Sequence, residues 1–130
     1  SGYRSPDLNK AVGGSDRSQH CHGQAADFES YSVSNPDLAE WIRDNLEFDQ
    51  LILEFYNGKD PNSGWVHCSY SLMDNRKKVM TALKPPGGRV EYKEGLEEKS
   101  AIQRFEENLI SKTKSVIAQI NKLGEKSEGF

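Results

Sequence analysis

The chain reads as an α+β fold: a small, mostly antiparallel sheet with flanking helices, followed by a long C-terminal amphipathic helix. Three observations predict this. Residues 50–56 and 64–70 are short runs rich in β-branched and aromatic side chains, separated by the turn-forming stretch 57–63. Residues 35–46 carry a helical apolar pattern with start signals of their own. From about Leu96 to Leu123, apolar residues recur at three-, four- and seven-residue steps.

In chain order, residues 5–12 form the first expected helix, with Pro6 near its start and Gly13 and Gly14 as its stop. Gly23 permits a tight excursion of the backbone, and the small residues after it suit a strand packed closely on its neighbours. His20 therefore belongs on a loop and Asp27 on a strand. The next helix, residues 35–46, is capped by Asn35 and has Pro36 in its first turn. Leu38, Trp41, Ile42 and Leu46 share the face expected to pack on the sheet. Residues 50–56 and 64–70 are expected to form a hairpin, and residues 76–83 a closing strand ended by Pro85-Pro86-Gly87-Gly88. In the last helix Ile102, Phe105, Leu109, Val116, Ile120 and Leu123 make an apolar stripe, Lys112 breaks its heptad register, and Gly124 ends it. Residues 96–123 are thus a candidate for self-association or docking, or for folding back on the domain.

Composition narrows the function classes. With 130 residues, 35% hydrophobic and 28% charged, the chain can build one core but hardly two. A net charge of −3 and the lack of a basic stripe with interleaved aromatics argue against nucleic acid as a partner. No run of about 18 apolar residues supports a membrane span, and no signal peptide is seen. Cys21 and Cys68 could form a disulfide, but their spacing does not require one; alternation turns Cys68 away from His67.

The chemistry gathers at His20, Asp27 and His67. Two imidazoles and one carboxylate leave a coordination position open for water, as catalytic rather than structural zinc requires, and the mixed nitrogen and oxygen donors suit Zn²⁺ better than magnesium or calcium. A surface loop histidine, a capping aspartate and a half-buried strand histidine would give the same spacing, so the pattern alone leaves both readings open.

The motifs SGYRSP at residues 1–6, Asn9 with Gly13 and Gly14, SQHCHGQAADF at residues 18–28 and GWVHCSY at residues 64–70 occur in an order that resembles the zinc D-alanyl-D-alanine carboxypeptidase and L-alanyl-D-glutamate endopeptidase family of peptidoglycan peptidases, especially its phage-encoded branch. The resemblance covers residues 1 to about 83 and implies a hedgehog/DD-peptidase-like fold. It implies His20, Asp27 and His67 as zinc ligands, Arg4 as the cation near the substrate carbonyl, and Ser18, with Arg4 and Trp65, as substrate-binding residues. It also implies hydrolysis of peptidoglycan stem peptides in phage lysis or wall remodelling, after synthesis in a host cytoplasm and with action at the bacterial cell wall or in a virion. Residues 1–84 are then the peptidase domain, expected to lack an N-terminal layer that related peptidases place before SGYRSP. Residues 85–130 are the linker and C-terminal helix.

One position departs from the family. Many members place an acidic general base three residues before the last zinc histidine, where this chain has Gly64. Glu54 is the expected replacement. If Tyr56 pairs with Trp65, antiparallel register sets Glu54 opposite His67 with Cβ atoms about 4.5–5.5 Å apart. A slip of one residue would turn Glu54 to the other face. Gly64 also keeps open a non-catalytic zinc-binding module, as in the hedgehog signalling domain, or a virion structural module in which the C-terminal helix matters more than the cleft.

Overall fold

The computed structural model describes the backbone of residues 1–96 and 101–128, and the side chains of residues 1–96 and 105–126. Its strands are β1 (Ala25–Phe28), β2 (Gln50–Glu54), β3 (Trp65–Ser69), β4 (Lys78–Leu83) and β5 (Glu91–Glu94). They form one sheet in the order β1-β3-β2-β4-β5. The pairings are antiparallel except that of β2 with β4, which is parallel. The helices are α1 (Pro6–Ala11), α2 (Asn35–Asn45) and α3 (Ala101–Glu128), with a 3-10 turn at Gln19–His22. The α+β architecture with its mostly antiparallel sheet and long C-terminal helix is as expected.

The two faces of the sheet have different work. Cross-strand partners share a face, so Leu51 with Cys68 and Leu53 with Val66 lie on one side, while Ile52 with His67 and Glu54 with Trp65 lie on the other. Helix α2 covers the first side. Ala39 and Ile42 of α2 join Phe48, Leu51, Leu53 and Val66 in the buried core, with Leu38, Cys68, Val79 and Leu96 packed against it. Leu51, Leu53 and Val66 are fully buried, each contributing about 1.5–3 kcal/mol of transfer free energy. The second side is left for polar chemistry.

Helix α2 differs in detail from its expected form. Ser34, one residue before the expected cap, accepts the Asp37 N–H at 3.2 Å. Asn35 is buried instead, and its side-chain amide donates to the carbonyls of Ser63 and Gly64, both at 3.1 Å, tying the helix start to the β2–β3 loop. Trp41 and Leu46 are exposed. Trp41 stands about 100° around the helix from Ile42, and Leu46 has already left the helix with extended backbone.

The β2–β3 register differs too. Glu54 pairs with Trp65, and Ile52 with His67, a shift of two residues from the expected pairing. Phe55 takes a left-handed backbone with φ of 60° and so ends β2 before Tyr56 can pair. Gly64, with φ of 68°, then packs so closely on the loop that an added Cβ would strike the Glu54 carbonyl oxygen and lie 2.7 Å from the Phe55 carbonyl carbon. Because strand side chains alternate with period two, the shift keeps Glu54 on the His67 face.

Strand β4 starts at Lys78, later than the expected Arg76, after Lys77 bends the backbone with φ of 52°. Strand β5 lies within the segment expected as a linker. Its alternation is too short and polar to read as a strand, and its four residues are exposed. Thr81 donates its hydroxyl to the Gly95 carbonyl at 2.8 Å, fastening the end of β5 to the sheet.

Two compact units result, Ser1–Glu97 and Glu98–Phe130. In the second, α3 exposes Phe105, Leu109, Val116, Ile120 and Leu123 along its stripe; the Ile102 side chain and residues 97–100 lie outside the described residues. Gly124 does not end the helix, which runs to Glu128. An interior glycine costs about 1 kcal/mol relative to alanine, which weakens a helix without stopping it. Among the described residues, no helix is long and apolar enough to cross a membrane.

The backbone of Gly64 leads to a stability prediction. Gly64→Ala introduces both a left-handed non-glycine residue and a collision with the strand before it, so it is expected to destabilise the first unit by more than about 2 kcal/mol. Denaturant unfolding of the variant and the parent chain measures the difference.

Candidate metal centre

The 3-10 turn at Gln19–His22 is closed by Gly23, whose left-handed backbone (φ of 66°) lets its N–H return to the His20 carbonyl. His20 is thereby buried, with Nδ1 2.8 Å from the Gly2 carbonyl oxygen. A proton on Nδ1 serves that bond and leaves the Nε2 lone pair facing Asp27 Oδ2 at 3.3 Å. Strand register places Asp27 directly opposite His67, and His67 Nδ1 lies 2.9 Å from Asp27 Oδ1. One carboxylate thus stands between two imidazoles whose ring centroids are 5.1 Å apart.

These donors fit a metal ion. One ligand atom from each of His20, Asp27 and His67 lies within 4.8 Å of the others. Bonds of about 2.1 Å in a tetrahedral site put ligand atoms about 3.4 Å apart; here His20 Nε2 lies 3.3 Å from Asp27 Oδ2, and His67 Nδ1 lies 2.9 Å from Asp27 Oδ1. Burial raises the Asp27 pKa, but the His67 hydrogen bond and the charges of both histidines outweigh it, and the carboxyl ends below its ordinary value. An ionised carboxylate is the state a metal needs.

Glu54 stands on the same face, with Oε1 3.8 Å from His67 Nδ1. Burial raises its pKa, the neighbouring Asp27 charge raises it further, and His67, Trp65 and Arg4 only partly offset this. A carboxyl whose pKa is raised by its surroundings is suited to proton transfer. The Trp65 indole N–H is buried beside the Glu54 carboxyl, and its ring packs edge-on to Phe55 at 5.2 Å. A groove of about 540 Å³ opens beside Asp27 and is bordered by Phe28, Glu29, Tyr31 and Trp65.

Arg4 reaches the centre from the opening segment. Its backbone N–H donates to the His20 carbonyl at 3.0 Å, and its guanidinium bonds Asn9 Oδ1 at 3.2 Å. Ser18 sits at the N-terminus of the 3-10 turn, where its side chain makes no capping bond, while its carbonyl accepts the Cys21 N–H at 3.1 Å. His22 is exposed and outside the ligand group. Cys21 and Cys68 are both free thiols, and burial pushes the Cys68 thiol above its ordinary pKa.

One support was invisible in the sequence. Asp49, 4% exposed, accepts bonds from Gln19 Nε2 at 2.8 Å and from Arg76 Nε and Nη2 at 2.8 and 2.9 Å. It joins the turn that carries His20 to the segment entering β4. No spacing rule connects residues 19, 49 and 76. The Arg76 hydrogen bonds hold the Asp49 carboxyl far below the ordinary carboxylate range despite its burial, so it stays ionised rather than taking up a proton.

Residues 1–69 match the family described as Peptidase M15. No curated protein and no solved structure matches the chain.

Two outcomes follow from this geometry. His67→Ala is expected to lose most bound metal, which elemental analysis of the purified chain would read; unchanged stoichiometry would remove His67 from the ligands. Asp49 has a depressed folded-state pKa, so the unfolded state binds its proton first as pH falls, and stability is lost below the unfolded value of about 3.9. Asp49→Asn should therefore lower stability at neutral pH and flatten the loss below about pH 4 in an acid titration of the melting temperature.

Proposed function

The chain belongs to the peptidase M15 family, and from that premise we propose that it is a zinc-dependent peptidase hydrolysing peptide bonds in peptidoglycan stem peptides, of the D-alanyl-D-alanine carboxypeptidase or L-alanyl-D-glutamate endopeptidase type. The observation that carries the reading is the placement of Glu54 3.8 Å from His67 on the face that also holds Asp27 and His20. A binding site alone has no need of a further carboxylate beside its ligands.

His20, Asp27 and His67 would hold the ion through Nε2, a carboxylate oxygen and Nδ1, leaving room for water and substrate. Bound there, zinc supplies Lewis acidity that acidifies water and polarises a carbonyl. Glu54 accepts the proton of the attacking water and returns it to the leaving amine, so that the amine departs neutral. Arg4 presents a fixed positive charge to the carbonyl oxygen as negative charge builds on it. Trp65 borders the groove beside Glu54, and Ser18 shapes the turn beside His20.

Gly64 supports Glu54 in this role. The backbone there excludes any side chain, so the position where many relatives carry their acid has no space for one. The acid is supplied from the neighbouring strand. Action at a bacterial wall in phage lysis or wall remodelling, and self-association or virion docking through residues 96–123, belong to the same proposal and draw on the sequence resemblance and the exposed stripe of α3.

Digestion of purified peptidoglycan, with identification of the new chain ends, tests the reading: free D-alanine marks the carboxypeptidase, and new D-glutamate amino termini mark the endopeptidase. A metal-loaded chain that releases neither would favour a non-catalytic module. Glu54→Gln keeps the shape but removes the proton acceptor, so it should retain metal while the rate falls by about 10²–10⁴. Near-normal turnover of that variant would place the base elsewhere.

A further inference from the structure

Arg4 can stabilise charge only if its guanidinium is aimed, and the structure contains a device for aiming it. Asn9 is 3% exposed within α1. Its Nδ2 donates to the Ser15 carbonyl at 2.8 Å, which leaves Oδ1 to accept from Arg4 Nη1 at 3.2 Å. The amide orientation is thus set by the carbonyl on its other side. Its backbone is held as well: the Asn9 N–H donates to the Ser5 carbonyl, and the Asn9 carbonyl accepts the Gly14 N–H, each at 2.8 Å. Gly14 makes the space, since a Cβ there would collide with Asn9 Oδ1 and lie 2.8 Å from Cγ.

The paired glycines after α1 therefore do more than stop a helix. They leave the volume that a carboxamide fills, and that carboxamide meets the cation beside the metal centre. We propose that Asn9, seated against Gly14, is a positioning residue that orients Arg4 toward the substrate carbonyl while leaving its charge undiminished. The choice of an amide has a physical reason. A carboxylate at position 9 would accept from the guanidinium equally well, but it would form an ion pair and offset the charge that the developing oxyanion needs. It would also face the Ser15 carbonyl without a proton to donate.

This inference rests on the peptidase reading, and a double-mutant cycle separates the two. In the zinc-loaded chain, kcat and KM are measured on peptidoglycan fragments for the wild type, Asn9→Ala, Arg4→Ala and the double variant, with Asn9→Asp and Gly14→Ala alongside. Asn9→Ala, Asn9→Asp and Gly14→Ala are each expected to lower kcat about tenfold or more, with KM little changed and zinc content retained. On the Arg4→Ala background Asn9→Ala should have no further effect, because it acts through the absent guanidinium.

Equal loss of kcat on both backgrounds would show that Asn9 only maintains the fold, and would overturn the positioning role while leaving the peptidase intact. Unchanged kcat in Asn9→Ala would do the same. If Asn9→Ala does not fold, Gly14→Ala carries the cycle, since it keeps the amide but takes its space. A wild-type chain that cuts no peptidoglycan bond overturns the peptidase reading and this inference with it.

Discussion

The structure depends on one carboxylate held between two imidazoles. Asp27 faces His67 because β1 and β3 pair in a single register, and it faces His20 because a 3-10 turn delivers that ring from outside the sheet. Each contact restrains the other. A one-residue slip of β1 would turn Asp27 to the α2 side and leave two histidines without a shared anion. The strand alternation that buries Leu53 and Val66 is therefore the same constraint that assembles the candidate metal centre.

The division of labour between the two faces explains how so small a unit can hold charged groups near its centre. Apolar burial is concentrated between α2 and one side of the sheet, with Phe48 closing its edge. The other side can then carry Asp27, Glu54 and His67, each partly buried, since the polar groups pair with one another and with the segment running from Arg4 into the Gln19–His22 turn. Asp49 bridges these regions from the foot of β2, and its ionised state is maintained by Arg76 and Gln19 rather than by solvent. Burial of an unpaired carboxylate there would be costly; complete pairing makes it a brace.

Backbone irregularity sits where function asks for it. Phe55 and Gly64, both left-handed, bracket the β2–β3 connection. They end β2 immediately after Glu54, leave no side-chain space at position 64, and let Trp65 enter β3 beside Glu54. Asn35 holds the far side of this loop through two carbonyls. Beside it, burial and the neighbouring Asp27 charge raise the proton affinity of Glu54.

The sequence by itself determined the α+β class, the helix over residues 5–12 and the strand pair around residues 50 and 65. These features are legible because they rest on short-range rules: glycine stops, period-two alternation and turn residues. The donor chemistry of imidazole and carboxylate left His20, Asp27 and His67 open as ligands, and the family resemblance singled them out and pointed to Glu54 beside them. Even the wrong register preserved the face of Glu54, as a two-residue shift leaves alternation unchanged. Only the tertiary structure decided which face of α2 is buried, that β5 extends the sheet, that Asp49 joins Gln19 to Arg76, and that Asn9 meets Arg4. Those outcomes are set by which distant side chains fill a common volume and satisfy each other's hydrogen bonds, and no local periodicity encodes a meeting between residues 19, 49 and 76.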